Sequence, residues 1–170
     1  VVEGFHPGTY IDHLMMEAHV QGYIKRGKNV LQIRCNSQLA PAGSLEHPAY
    51  LIGDFEVRNQ ADKPRIVPAA STIKTGDWAE QGYPFYSGIG IYRQTIKLPR
   101  TTKRVYLQMQ HPGDLAEVFV NDEFAAVLAW EPWVADITDL VKTGDNEITI
   151  KVANAMANVF LSEPKPSGLL

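Results

Sequence analysis

Apolar and polar side chains alternate at a spacing of two in several short stretches, and this pattern most constrains what the chain can fold into. In NEITIKV (146–152), Ile148, Ile150 and Val152 alternate with Thr149 and Lys151. In RVYLQMQ (104–110), Val105, Leu107 and Met109 alternate with Tyr106, Gln108 and Gln110, and AEVFVN (116–121) aims Val118 and Val120 one way. YLIGDFEV (50–57) reads as a further strand with Leu51, Phe55 and Val57 on one face. A period of two marks half-buried antiparallel strands. Turn chemistry separates the stretches: Asp62-Lys63-Pro64, Pro112-Gly113-Asp114, Asn121-Asp122 and Thr143-Gly144-Asp145. Many short strands between such corners predict an all-β sandwich with little helix. The one competing helical reading covers residues 12–23, with Asp12 as N-cap.

The chain has 170 residues, 45% of them hydrophobic, and a formal charge of −3. That length holds one well-buried domain and part of a second. The charge leaves no basic footprint for nucleic acid or an anionic membrane surface. Cys35 is the only cysteine, so an internal disulfide is excluded, and its place beside Leu31 and Ile33 reads as a small buried side chain. A chain that opens on Val1 and closes on Leu169-Leu170 is expected to be cut from a longer polypeptide.

An internal echo runs through the sequence. IKRGKNVLQIR (24–34) can be laid on VKTGDNEITIK (141–151), with Val20 on Ile137 and Tyr23 on Leu140. In each copy an apolar residue anchors a turn, a glycine (Gly27 or Gly144) supplies a positive φ, and an asparagine (Asn29 or Asn146) bonds the turn backbone. This predicts two related modules: residues 1–45 as the tail of one, and 46–170 as a complete sandwich. Residues 1–45 carry Val20, Tyr23, Ile24, Val30, Leu31 and Ile33, and isolated hairpins are marginal in water. The segment is therefore expected to pack on the 46–170 sandwich, directly or through a second chain.

GDWAEQGYPFYSGIGIY (76–92) crowds aromatic rings among glycines and a proline. Pro84, Gly82 and Gly88 suit a tight corner, with Phe85 and Tyr92 expected in the core. Trp78 and Tyr83 either pack there or stack on a sugar ring, with Glu80, Gln81, Trp130 and Glu131 as neighbouring polar and aromatic groups. Asp136 reads as a turn cap; Asn154 and Asn158 suit a structural or a ligand-contact role.

The segment VFVNDEFAAVLAWEPWVADITDLVKTGDNEITIKVAN (118–154) resembles the β-sandwich domains of glycoside hydrolases of the β-galactosidase and β-glucuronidase type. The matching elements are Val120-Asn121, Trp130-Glu131-Pro132, Asp136-Ile137-Thr138 and Gly144-Asp145-Asn146. Gly53-Asp54-Phe55, then Trp78, then Gly82 to Gly88 and Tyr92 are similar to accessory domains of large α-L-rhamnosidase-like hydrolases, as is the terminal PSGLL (166–170). The resemblance implies a galactose-binding-like jelly roll that supports the catalytic domain of the same polypeptide, with weak glycan affinity as an added role. It also implies an extracytoplasmic location. A departure is Asn121-Asp122, where such hairpins often carry Asn-Gly; aspartate tolerates the left-handed region, so the turn is expected to survive.

The motifs of chemistry are missing. Ser87 has Phe85 two residues before it, so there is no Gly-X-Ser-X-Gly elbow. His13 and His19 stand six apart, and His6, His47 and His111 are scattered, which gives no metal-ligand spacing. No loop holds acids densely enough to assign calcium, and no cofactor motif is present. Glu80, Glu131, Asp54 and Asp136 are available acids that no sequence rule pairs. The expected function is a non-catalytic module of a carbohydrate-active enzyme; the alternative is a stand-alone lectin-like module presenting an aromatic platform.

Overall fold

A computed structural model describes residues 1–34, 49–60, 63–100, 103–110, 112–161 and 163–170. The readings on Cys35, His47 and His111, and the boundary expected at residue 45, lie outside them. The chain divides into two units, Val1–Leu51 and Ile52–Leu170.

In the first unit, β1 (His6–Pro7) pairs antiparallel with β2 (Met16–Glu17), and a 3₁₀ turn follows at Gln21–Tyr23. The helical reading of residues 12–23 is overturned. Asp12 Oδ1 accepts the Leu14 amide at 2.9 Å, and the Gly8 amide bonds the Met15 carbonyl at 2.6 Å. An aspartate that binds the amide two residues on offers the backbone a turn in place of a helix, and the chain folds back into a ladder.

The second unit is built almost wholly of antiparallel strands: β3 (Phe55–Gln60), β4 (Lys63–Pro68), β5 (Ile89–Leu98), β6 (Tyr106–Gln108), β7 (Leu115–Val120), β8 (Glu123–Leu128), β9 (Val134–Asp136) and β10 (Gly144–Ala153), then the single-turn helix α1 (Ala157–Phe160). β5, β10, β7 and β8 form a four-stranded sheet in that order, while β3–β4 and β6–β9 are two-stranded. The alternation read from the sequence sets the inner face. Val118, Val120, Ile148, Ile150 and Val152 are buried, joined by Met109, Ala135 and Ile137 from the β6–β9 side. The fold is thus the all-β sandwich that the period of two predicts.

Residues 50–57 depart from the reading. The strand starts only at Phe55, Leu51 is exposed, and Glu56 is the buried residue. Burying a carboxylate is tolerable when charge and hydrogen bonds compensate it. Glu56 has both, from Arg58 Nη2 at 2.6 Å, Arg58 Nε at 2.7 Å and the Ala70 amide at 2.6 Å.

Candidate functional site

The loop of residues 76–88 leaves the end of the sheet where β5 begins. The pairings Ala153↔Leu115, Ala153↔Ile89 and Ala116↔Leu128 place the loops after β8 and β10 at that same end.

Trp78 is the plug of this end. Its ring is buried, and its Nε1 donates to Tyr92 Oη at 2.7 Å. Tyr86 meets it edge-on, with ring centroids 5.4 Å apart. Gly90 and Gly168 are glycines for this ring's sake. A Cβ on Gly90 would run into the indole, and one on Gly168 would lie 2.5 Å from its Nε1. The terminal segment straps across: Trp78 N bonds Ser167 O at 2.9 Å, Gly76 N bonds Leu169 O at 2.7 Å, and Ser167 N bonds Asp77 Oδ1 at 3.1 Å. Trp78 therefore sits in the core and not at a face open to a sugar.

Gln81 is also spent on architecture. Its Oε1 accepts Lys74 N at 2.8 Å, and its Nε2 donates to Lys74 O at 3.0 Å. Tyr83 Oη lies 3.4 Å from Glu56 Oε1. Burial, then the adjacent carboxylate, raises its pKa. Phe85, expected in the core, is exposed; its neighbours Tyr83 and Tyr86 take the inward positions, meeting edge-on with centroids 6.4 Å apart. Asn154 clamps the corner, accepting Gly88 N at 2.9 Å and donating to Tyr86 O at 2.8 Å. Asn158 is buried and clasps Lys165 N and O, both at 2.9 Å.

Three of the candidates remain open to a ligand. Glu80 and Glu131 are exposed, and Trp130 is 78% exposed. Trp130 and Glu131 lie on the β8–β9 loop and Glu80 on the corner loop, so the fold brings them to one end. Asp136 is a turn cap: its Oδ1 accepts Thr138 N at 3.1 Å and Thr138 Oγ1 at 2.5 Å. Those bonds hold its pKa below the ordinary aspartate value. The group that sequence reading missed is Glu56 with Arg58, whose one signal is their spacing of two on a strand.

A groove of about 670 Å³ runs beside β5, lined by Ile73, Tyr92, Ile96, Leu107, Ile148 and Leu169 among others, and its described lining contains no Asp, Glu or His. Among the described residues no three His, Cys, Asp or Glu side chains gather into a metal-binding group. Among them, too, no helix is long and apolar enough to cross a membrane.

No family model matches the chain. It is similar to a protein of Formosa agariphila with the provisional name β-glucuronidase, at 27% identity over 128 residues. The match takes in 72% of this chain and 11% of the relative, so the chain spans a small fraction of the length of the curated protein it matches. Among solved structures, the rhamnosidase from Novosphingobium sp. PP1Y is similar with a TM-score of 0.50 at 22% identity, covering 75% of this chain and 15% of that one. A glycosyl hydrolase family 2 member from Bacteroides cellulosilyticus DSM 14838 matches with a TM-score of 0.46 at 20% identity, over 72% of this chain and 18% of that one. These similar proteins are glycoside hydrolases, and in each the chain covers a part.

Proposed function

We propose that the chain is a non-catalytic β-sandwich domain of a larger glycoside hydrolase, serving to support or orient the catalytic domain of the same polypeptide. The observation that carries this reading is the coverage: most of this chain matches a ninth or so of a much longer relative, 72% against 11%. The chemistry agrees. Glycoside hydrolysis uses two carboxyls about 5–5.5 Å or about 6.5–9.5 Å apart across the scissile bond. Here Glu56 and Asp136 are tied to structural partners, and among the described residues the groove beside β5 has no carboxylate in its lining. An extracytoplasmic location belongs to the same proposal.

The exposed Trp130 beside Glu131 favours a second role, weak glycan contact. This is also where a stand-alone lectin-like module would bind. Two measurements on the chain separate the readings. Incubated with aryl glucuronides, galactosides and rhamnosides, it is expected to release no aglycone above background. Turnover abolished by Glu80→Gln or Glu131→Gln would overturn the non-catalytic reading. Titration with the matching oligosaccharides, followed by tryptophan fluorescence, is expected to give weak or no saturation. Tight saturable binding lost in Trp130→Ala would favour the lectin.

A further inference from the structure

We infer that residues 1–34 belong to the last part of a second module built like Ile52–Leu170, and that the core around Leu31 and Ile33 is completed by strands from polypeptide preceding Val1.

The correspondence is one of structure as well as sequence. Asn29 and Asn146 make the same three bonds. Asn29 Oδ1 accepts Lys25 N at 3.0 Å, and its Nδ2 donates to Lys25 O at 2.7 Å and Gly27 O at 3.0 Å. Asn146 Oδ1 accepts Lys142 N at 2.8 Å, and its Nδ2 donates to Lys142 O at 2.8 Å and Gly144 O at 3.0 Å. Gly27 and Gly144 have φ of +96° and +99°. Upstream, Tyr23 N bonds Val20 O at 2.9 Å, and Leu140 N bonds Ile137 O at 3.1 Å.

The same offset holds without a gap back to Val1. Ala18 falls on Ala135 and Val1 on Val118, while Gly4, with φ +79°, falls on the hairpin residue Asn121, with φ +52°. His6–Pro7 then matches the start of β8, and Met16–Glu17 falls on Trp133-Val134 at the start of β9. The β1–β2 ladder itself has no equivalent, since β8 pairs with β7 and β9 with β6; the correspondence rests on the turn of residues 20–29 and the unbroken sequence offset.

The two copies differ where a core should be. Ile148 and Ile150, 5% and 9% exposed, lie on β10 between β5 and β7. Their counterparts Leu31 and Ile33 are 68% and 47% exposed. The same offset puts the counterparts of β5, β6 and the first half of β7 ahead of Val1. The occupants are therefore strands from the preceding part of the parent polypeptide, the β5 counterpart beside residues 30–34 and the β6 counterpart across from them, while Val1–Glu3 are the second half of the β7 counterpart. This is a different partner from the 46–170 sandwich, reached directly or through a second chain, expected from sequence. The inference does not depend on what the parent catalyses.

The test is hydrogen exchange of the amides of residues 30–34, read in the 170-residue chain and in the parent polypeptide extended upstream by one module length. The extended protein is expected to slow these amides about a hundredfold or more, because a central strand opens only with its module, while the 170-residue chain exchanges them fast. Fast exchange in both would overturn the inference. So would slow exchange in the monomeric 170-residue chain, which would assign the face to its own sandwich, or protection that appears only where this chain dimerises.

Discussion

Glu56 is a buried carboxylate at a position that the alternation of Phe55 and Val57 assigns to the outer face, and its charge makes the site responsive to pH. The hydrogen bond from Arg58, then the Ala70 amide, favour the carboxylate and hold its pKa below the ordinary 4.5, against the opposing effect of burial. Between the folded and unfolded values the unfolded chain binds a proton that the folded chain refuses, so stability rises with pH there. The contribution is fully present above 4.5 and is lost as pH falls through the lower folded value. Glu56→Gln is therefore expected to lower the urea midpoint at neutral pH, with the gap to the parent closing in acid. Added salt should narrow it too, since Arg58 is largely exposed. A gap that stays constant down to about pH 3 would show that the charge contributes nothing.

At the scale of the element, the β7–β8 hairpin shows two adjacent residues with opposite demands. Asn121 and Asp122 both have positive φ, +52° and +68°. The turn survives the departure from Asn-Gly, as aspartate's tolerance of the left-handed region predicts. Asp122 keeps only the strain, whereas Asn121 donates to Leu140 O at 2.9 Å and Asn146 Oδ1 at 3.0 Å and accepts Glu147 N at 3.2 Å. Asp122→Gly should stabilise the second unit by up to about 1 kcal/mol. Asn121→Gly should destabilise it by about 1–3 kcal/mol, since the buried Asn146 loses a donor. Urea unfolding at unchanged m-value reads both; equal signs would refute the division of roles. Turns like this one, and those of Gly27 and Gly144, were legible because their chemistry is local. The supposed helix of 12–23 fails in part for a reason outside its window, the Gly8 amide on Met15 O, and in part for a local one, Asp12 Oδ1 on the Leu14 amide; the departures at Phe85 and at 50–54 carry no such local signal.

For the whole molecule, the all-β sandwich was legible because period-two burial recurs on strand after strand. The candidate site was less so. The crowding of rings at 76–92 announces a corner, but which ring is covered depends on residues up to 90 positions away. Ser167 and Leu169 cap the loop from the far terminus, and Gly90 and Gly168 clear the space. Nothing local distinguishes buried Trp78 from exposed Trp130. The strap makes Trp78 the joint between the first loop and the last residues of the second unit, and this can be measured. Truncating a buried Trp costs about 3–5 kcal/mol, set against a total of about 5–15 kcal/mol for a typical domain. Trp78→Ala is expected to lower the thermal midpoint of this unit, followed by far-ultraviolet circular dichroism, by about 10 °C or more. Trp78→Phe keeps a ring but loses the bond to Tyr92 Oη, and should fall between the two by about 1 kcal/mol from the parent. A Trp78→Ala midpoint within about 3 °C of the parent would mean that the corner does not hold the sandwich together. Trp78 would then be free for a role other than packing.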